Sequence, residues 1–341
     1  MKRIDFMTNP GFFMSRAALF SLVLFLALCN PCFKASASGE DVGKKTVIAT
    51  FYPLYIHLLN IAGDKVKAEL LLSPGVSIHD FNCKPSDIKK ISGADLMILN
   101  GASLDDFAMK FAVNYAGSGL KTVDASYGVE LISASCDSGC AHGHESEKSP
   151  GHSHGGAQNA PSDPHTWISL KNAALQVDNI LKALCETDPA NAGFYSENAA
   201  AYVKAIAGLD KYASEKLAPF KGSKFMVFHG SFAYFARDYS LVQSSIADVF
   251  GNAPKPSKIK EVYDLIKAGE VKFLISEPAY QNKEIKALAE QYSLSVIELD
   301  PMGSYKADAA SKPGASEKSY YMDVMKSNID KLAEAFSGAK K

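Results

Sequence analysis

A histidine-rich stretch is the part of the sequence whose residue types are best suited to chemistry. Residues 136–158 carry two cysteines, two His-x-His pairs and almost no large apolar side chains, so we expect a mobile loop there. Neutral imidazole binds zinc, copper and nickel, and paired histidines on a flexible tether favour loose binding of such ions. A polar linker without a metal-binding role is the alternative. The candidate auxiliary ligands of this loop are His142, His144, His152 and His154.

Four more candidate ligands follow predicted β-strands and lie far apart in the sequence. His79 follows the second predicted strand and His165 the fourth, while His229 follows the fifth and Asp300 the last. Ligands of open parallel sheets collect beyond the carboxyl ends of the strands, so we expect these side chains in one cleft. Three nitrogens and one oxygen suit a tetrahedral Zn2+ ion. The sequence therefore predicts a metal site made of these four residues.

Each of these assignments has an alternative that the residues leave open. A single histidine after a strand is more often structural than a ligand, and His57, at helical spacing among apolar residues, is expected to be structural. Asp300 precedes Pro301 and could simply start a turn. Glu277, Cys83 or a water molecule could supply the fourth ligand instead of Asp300.

The elements that must position these residues alternate between short apolar strands and helical patterns. This alternation predicts βαβ units and parallel sheets. Residues 171–186 are predicted to form an amphipathic helix, and a much longer helix follows over 188–218. The predicted fold class is α/β, with two lobes that each contain a roughly four-stranded parallel sheet flanked by helices. The long backbone helix bridges the lobes, and the metal site lies in the cleft between them. The predicted strands are 46–51, 67–72, 95–100, 121–124, 224–228, 244–249, 271–275 and 293–299.

The predicted domain organisation begins with a signal peptide over residues 1–37. Basic residues precede an apolar run that is too short to span a bilayer, and Ala35-Ser36-Ala37 supplies a cleavage site of small residues. We therefore expect export to the periplasm after cleavage near Ala37. Lipid anchoring is less favoured, because Cys29 and Cys32 lack the small preceding residue that it needs. The expected domains are an N-terminal lobe over 38–170, which includes the loop 136–158, linking helices over 171–222 and a C-terminal lobe over 223–341.

The composition is that of an ordinary globular protein and excludes some classes of function. Of the 341 residues, 47% are hydrophobic and 21% are charged, and the formal net charge is −1. Because there is no basic patch, nucleic-acid binding is not expected. No apolar run after the signal peptide approaches the length of a membrane span. Cys136 and Cys140 could form a disulfide or contribute to metal binding, and both options stay open.

Four sets of residues occur in order along the chain: His79-Asp80-Phe81 with Pro85-Ser86-Asp87, Asp163-Pro164-His165-Thr166-Trp167, Phe228-His229 with Tyr234-Phe235, and Glu277-Pro278 with Leu299-Asp300-Pro301. With these sets the chain resembles the solute-binding proteins of the zinc and manganese ABC importers, in particular the zinc-uptake type. The resemblance runs from Thr46 to the C-terminus. It implies two α/β lobes bridged by a backbone helix, metal held between them, and delivery to an inner-membrane ABC permease with its ATPase.

This resemblance also implies roles for individual residues. His79, His165 and His229 correspond to the three nitrogen ligands, and Asp300 corresponds to the carboxylate ligand. Manganese carriers of the family typically have glutamate where this chain has His229, which together with the histidine-rich loop points to zinc. The chain departs from the family at Asn82-Cys83, where Glu-Pro is usual, and in some zinc binders water replaces the aspartate. The expected function is high-affinity capture of periplasmic Zn2+ by a monomer that is not an enzyme.

Other kinds of protein remain open on the residues alone. A metal-dependent hydrolase could bind zinc through three histidines and use Asp300 or Glu277 as a base, but the sequence lacks a His-Glu-x-x-His helix. The sequence also leaves open a carrier of manganese or another divalent metal, a metal-binding adhesin and a metal-storage protein. One tight zinc ion per chain would favour import, and many weak ones would favour storage.

Overall fold

The computed structural model describes residues 43–73, 76–81, 83–114, 119–134, 161–278, 283–303 and 317–339. The predicted signal peptide, 1–37, lies outside these ranges, and so does the histidine-rich loop, 136–158, with His142, His144, His152 and His154. Within them, no helix has the length and apolar character needed to cross a membrane.

The first half of the chain folds into a four-stranded parallel sheet. The strands are β1 (Lys45–Ala49), β2 (Val66–Leu70), β3 (Leu96–Leu99) and β4 (Lys121–Asp124), and the helices that connect them are α1 (Tyr52–Ala62), α2 (Pro85–Ser92) and α3 (Asp106–Asn114). The strand order is β2-β1-β3-β4. Strand β3 is apolar and buried along its whole length, because helices cover both faces of such a sheet. Proline lies in the first turn of both α1 and α2, and Gly63, with φ of +57°, ends α1.

Two helices lead from the first sheet to the second. They are α4 (Leu170–Thr187) and α5 (Ala192–Leu217), and 3₁₀ turns over Pro189–Asn191 and Ala218–Phe220 extend α5 at both ends. The side chain of Ser169 begins α4 by accepting a hydrogen bond from Asn172 N. The continuous helical run of α5 and its two turns confirms the predicted long helix.

The second half of the chain repeats the topology of the first. Its elements are β5 (Lys224–His229), α6 (Ala233–Asp238), β6 (Val242–Ala247), α7 (Pro256–Lys267), β7 (Phe273–Ser276), α8 (Lys283–Tyr292), β8 (Ser295–Glu298) and α9 (Tyr320–Gly338). The sheet is again parallel, in the order β6-β5-β7-β8. Since the carboxyl ends of parallel strands share one edge, the residues that follow β5, β7 and β8 lie along the same edge.

One hydrophobic core runs through both halves. Its buried members come from both sheets and from helices α1, α4, α5 and α9. Helix α5 contributes residues along its length, including Tyr195, Ile206 and Leu217. Because both sheets share this core, a wide opening between them would expose apolar surface to water at a cost in free energy.

The predicted fold class is confirmed. Each predicted strand has an observed counterpart, and the ends differ by no more than two residues. The two sheets, their flanking helices and the long helix are those expected from the sequence. The domain limits 38–170, 171–222 and 223–341 stay predictions.

Candidate metal site

His79 lies on a short turn beyond strand β2. The turn is a single 3₁₀ turn, Ile78–Asp80, and the Ser77 hydroxyl accepts a hydrogen bond from His79 N at 3.3 Å. The backbone N of Ile78 donates to Gly303 O at 3.2 Å, which ties the turn to the segment after β8. His79 is therefore held by a short turn rather than by a long element, and it is only partly buried.

His165 lies in the segment that leads into α4. One oxygen of Asp163 accepts hydrogen bonds from both N and Nδ1 of His165, at 2.9 and 2.8 Å. Asn100, which follows β3, donates to Pro164 O at 2.9 Å, and Tyr234 of α6 donates to Asp163 O at 2.7 Å. Both halves of the chain thus fix this segment, and His165 is completely buried.

His229 is the last residue of β5, at the carboxyl edge of the second sheet. Glu277 follows the neighbouring strand β7 and lies against it. One Glu277 oxygen accepts a hydrogen bond from His229 N at 3.2 Å, and the other lies 2.6 Å from His229 Nδ1. Both side chains are buried. A carboxylate beside Nδ1 assigns the proton to that nitrogen and leaves the Nε2 lone pair for a metal ion.

The three imidazoles meet through their Nε2 atoms. Nε2 of His165 lies 3.2 Å from Nε2 of His79 and 3.2 Å from Nε2 of His229, and the ligand atoms of all three lie within 4.8 Å of one another. With Nδ1 protonated in His165 and His229, both Nε2 atoms are acceptors, so no hydrogen bond can join them. A cation removes this repulsion, and two nitrogens bound to tetrahedral zinc at roughly 2.0–2.1 Å lie about 3.3 Å apart. The arrangement can hold a divalent metal ion.

Burial keeps the imidazoles of His79 and His165 in the neutral form that metals require. Burial lowers the pKa of His79 to about 3, and the neighbouring rings of His165 and His229 lower it further. Burial also holds the pKa of His165 well below its usual value. Because metal ligands must be deprotonated, the metal-binding form of these rings prevails at neutral pH.

Asp300, the fourth predicted ligand, lies apart from the three rings. Its Oδ1 accepts a hydrogen bond from Met302 N at 2.7 Å, and its Oδ2 accepts one from the Tyr320 hydroxyl at 3.3 Å. Across the described side chains, the only group close enough to share an ion consists of the three histidines. Burial raises the pKa of Asp300, and the nearby carboxylate of Glu277 adds to the rise.

The alternative ligands also lie outside the cluster. Glu277 contacts the Nδ1 side of His229, away from the Nε2 atoms. The Cys83 thiol is partly exposed and lies 3.8 Å from Lys84 O. His57 is buried in α1 with its Nδ1 3.1 Å from the Tyr202 hydroxyl, in keeping with the structural role expected of it.

Asp163 is the residue whose role the sequence reasoning missed. Its carboxylate is buried behind His165, and burial raises its pKa, although the hydrogen bond from His165 N opposes that rise. A local sequence signal could have indicated this role. An aspartate two residues before a histidine can accept a hydrogen bond from the backbone N of the histidine.

The two-lobed α/β fold, the three gathered imidazoles and the family match given next identify the class of the chain. It is a metal-binding substrate-binding protein of an ABC transporter. The chain belongs to the family described as zinc-uptake complex component A, periplasmic, which matches residues 47–335. The iron-binding protein YfeA of Yersinia pestis is 28% identical over 342 residues, which cover 98% of this chain and 99% of that protein. The zinc-binding lipoprotein AdcA of Streptococcus pneumoniae is 26% identical over 314 residues, which cover 92% of this chain and 60% of that protein. The structure of the SBP FpvC from Pseudomonas aeruginosa in complex with Mn2+ is similar with a TM-score of 0.69 at 26% identity, over 87% of this chain and 99% of that one.

These relationships establish the class of protein to which the chain belongs. The family and its structural neighbours are solute-binding proteins and not enzymes, so the prediction that the chain is not an enzyme is confirmed and the hydrolase alternative falls. Substrate-binding proteins of ABC transporters work with a membrane permease and an ATPase. The names of the relatives differ in the metal, so the family alone supports a divalent metal ion and not zinc in particular.

Proposed function

We propose that the chain captures Zn2+ and hands it to an ABC permease, with His79, His165 and His229 as metal ligands. The observation that carries this proposal is the meeting of three Nε2 atoms, two of them each 3.2 Å from the third. Asp300 would have to leave the Tyr320 hydroxyl to become the fourth ligand. Otherwise a water molecule completes the four-coordinate set.

Zinc is the proposed cargo because its ligand preference matches these side chains. Three neutral imidazoles and one further donor suit tetrahedral Zn2+, whereas manganese prefers carboxylate, carbonyl and water oxygens. Copper binds such nitrogen ligands more tightly, so its exclusion depends on geometry and metal supply. The histidines of the loop 136–158 remain a proposed auxiliary site for zinc, made of His142, His144, His152 and His154.

A different divalent cargo is the second candidate. YfeA is named as an iron-binding protein, and FpvC was solved with Mn2+. YfeA is related to this chain by sequence and FpvC by fold, so neither relationship favours zinc over these metals. A direct competition between the metals separates the two candidates.

We further propose that residues 1–37 direct export to the periplasm and are removed near Ala37. The mature chain then acts as a monomer beside its permease and ATPase, with lobes over 38–170 and 223–341 joined by 171–222. Lipid anchoring is the alternative, and the naming of AdcA as a lipoprotein supports it. Mass spectrometry of the exported protein distinguishes a cleaved chain from a lipid-modified one, and light scattering measures its oligomeric state.

Competitive titration of the metal-free protein tests the cargo. With Zn2+, Mn2+ or Fe2+ competing against a chelator of known affinity, we expect one tightly bound zinc ion per chain and weaker binding of the other two. His165→Ala should abolish tight zinc binding. His57→Gln, which replaces a buried imidazole outside the cluster, should preserve it. Tighter binding of manganese than of zinc would contradict the proposal that zinc is the cargo. Unchanged zinc binding by His165→Ala would contradict the proposal that the three histidines are the ligands.

A further inference from the structure

The turn that starts at Asp300 touches the segments that carry two histidines of the cluster. On one side, Trp167 Nε1, in the segment of the second histidine, donates a hydrogen bond to Pro301 O at 2.8 Å. On the other side, the backbone N of Ile78, next to the first histidine, donates to Gly303 O at 3.2 Å. The backbone of the turn that carries Asp300 is therefore bonded to the segments of His79 and His165, although the Asp300 carboxylate is not part of the cluster.

The two carboxylate oxygens of Asp300 accept hydrogen bonds from different groups. Oδ1 accepts the backbone N–H of Met302 at 2.7 Å. Met302 has a φ of +57°, a left-handed conformation that residues other than glycine rarely adopt, and this hydrogen bond helps to hold it. Oδ2 accepts the Tyr320 hydroxyl at 3.3 Å. Oδ1 thus stabilises the turn, and Oδ2 is the oxygen that could turn toward an ion if Tyr320 released it.

We propose that Tyr320 is a specificity-determining residue, whose hydroxyl withholds the Asp300 carboxylate from the metal ion. This inference rests on the proposed three-imidazole site. Zinc needs one more donor beyond three imidazoles, and water supplies it, so withholding Asp300 weakens zinc binding little. Manganese prefers oxygen ligands and a higher coordination number, so the loss of a carboxylate weakens its binding more. The Tyr320–Asp300 hydrogen bond therefore favours zinc over manganese.

Removing the hydroxyl tests this role. In Tyr320→Phe, we expect the affinity for Mn2+ to rise by about tenfold relative to that for Zn2+, the size expected for one hydrogen bond to a charged group. Adding Asp300→Asn to this variant should return the ratio to its original value. In the otherwise unchanged protein, Asp300→Asn should alter zinc affinity by less than about threefold, well under the effect of losing a bound ligand. With Co2+ as a spectroscopic probe, the visible d–d absorption of Tyr320→Phe should weaken, because coordination above four lowers its intensity.

Tyr212→Phe is the matched control. The Tyr212 hydroxyl also donates a hydrogen bond to an aspartate, Asp330, between helices α5 and α9. The Tyr212→Phe variant therefore removes the same kind of hydrogen bond at a place away from the cluster. It should leave the metal ratio and the Co2+ spectrum unchanged. The proposal is overturned if Tyr320→Phe behaves like this control, or if Asp300→Asn alone weakens zinc binding by more than about threefold, because the Asp300 carboxylate would then already contribute to zinc binding. Failure of the three-imidazole site is a separate result, since it appears as tight zinc binding by His165→Ala.

Discussion

At the scale of single residues, Asp163 and Glu277 face two imidazoles of the cluster from behind. Each carboxylate lies against an Nδ1 atom, at 2.8 Å in His165 and at 2.6 Å in His229. Such outer partners fix the tautomer and orientation of a metal-binding ring and raise its basicity. His79 is the least buried of the three, and the carboxylate of Asp248 acts on it through charge. The two inner rings are therefore the more firmly oriented part of the site.

Replacing the Glu277 carboxylate tests this view of the site. Glu277→Gln keeps the size of the side chain but removes its charge, so His229 is no longer held as an Nδ1–H tautomer. We expect zinc affinity to fall by roughly 10- to 100-fold in a chelator competition. Glu270→Gln is the control, since it removes a carboxylate that pairs with Lys224 on the surface. An unchanged affinity in Glu277→Gln would show that orientation of His229 does not depend on this contact.

Buried histidines also make the stability of the metal-free protein depend on pH. Burial lowers the pKa of His57 to about 3, below the value of about 6.5 expected in the unfolded chain. Between these two values the unfolded state binds a proton that the folded state does not, so stability is lost as pH falls from about 6.5 toward 3. Each such histidine contributes a slope of about 1.4 kcal/mol per pH unit. In urea unfolding between pH 7 and pH 5, the free energy of unfolding of His57→Gln should fall less steeply with pH than that of the unaltered protein. The same pH dependence in both proteins would contradict the low pKa assigned to His57.

The sequence predicted the histidines of the site more readily than the state of its carboxylates. His79 and His229 could be found because each comes soon after a recognisable strand, and strand ends converge in a parallel sheet. His165 lies far beyond β4, next to α4, so the strand pattern located it less closely. The hydrogen bond between Asp300 and Tyr320 joins two elements whose packing no local pattern reports. The position of Asp300 after the last strand was therefore predictable, whereas its hydrogen bond to Tyr320 was not.

At the scale of elements, the short helix α6 links the second sheet to the segment that carries His165. The Tyr234 hydroxyl donates to Asp163 O at 2.7 Å and accepts from Ile132 N at 3.2 Å. Asp238, at the end of the helix, accepts a hydrogen bond from the Ser169 hydroxyl that also begins α4. One face of α6 therefore fixes both ends of the loop around His165.

Removing the Tyr234 hydroxyl should loosen this loop. Tyr234 is completely buried, so Tyr234→Phe leaves two backbone groups without their partner. We expect the free energy of unfolding to fall by about 1–2 kcal/mol and zinc to dissociate faster. Tyr127→Phe, at a side chain that is 75% exposed, should change neither quantity. Equal stability of the two variants in urea unfolding would rule out the proposed contribution of this hydroxyl.

The elements themselves were predictable because their signals are local. Strand β3 is a continuous apolar run, which a parallel strand covered on both faces requires, and Pro53 and Gly63 mark the ends of α1. The shared core was less predictable, since it depends on how α5 and α9 pack across both sheets. Periodicity shows which face of a helix is apolar but does not identify the element that covers it.

At the scale of the whole molecule, the cluster draws its ligands from both halves of a chain that share one core. The three histidines lie in the described residues, whereas the histidine-rich loop lies outside them. The main site and the proposed auxiliary site should therefore be separable by deletion.

Deleting residues 136–158 tests this separation. The deletion removes His142, His144, His152 and His154 but keeps the segment from Asp163 to Trp167. Calorimetric titration should then show one tight zinc ion per chain with its affinity unchanged, while additional weak binding disappears. Loss of the tight ion upon deletion would mean that the main site includes loop residues, and the assignment of the three histidines would be wrong.

The two carboxylates behind the histidines have a consequence for the valence of the ion. When ionised, Asp163 and Glu277 place two negative charges in a buried region, and a dipositive ion cancels them. A singly charged ion would leave a net negative charge there, which is costly where the dielectric constant is low. Charge compensation therefore favours dipositive over singly charged ions, before coordination geometry distinguishes one dipositive metal from another.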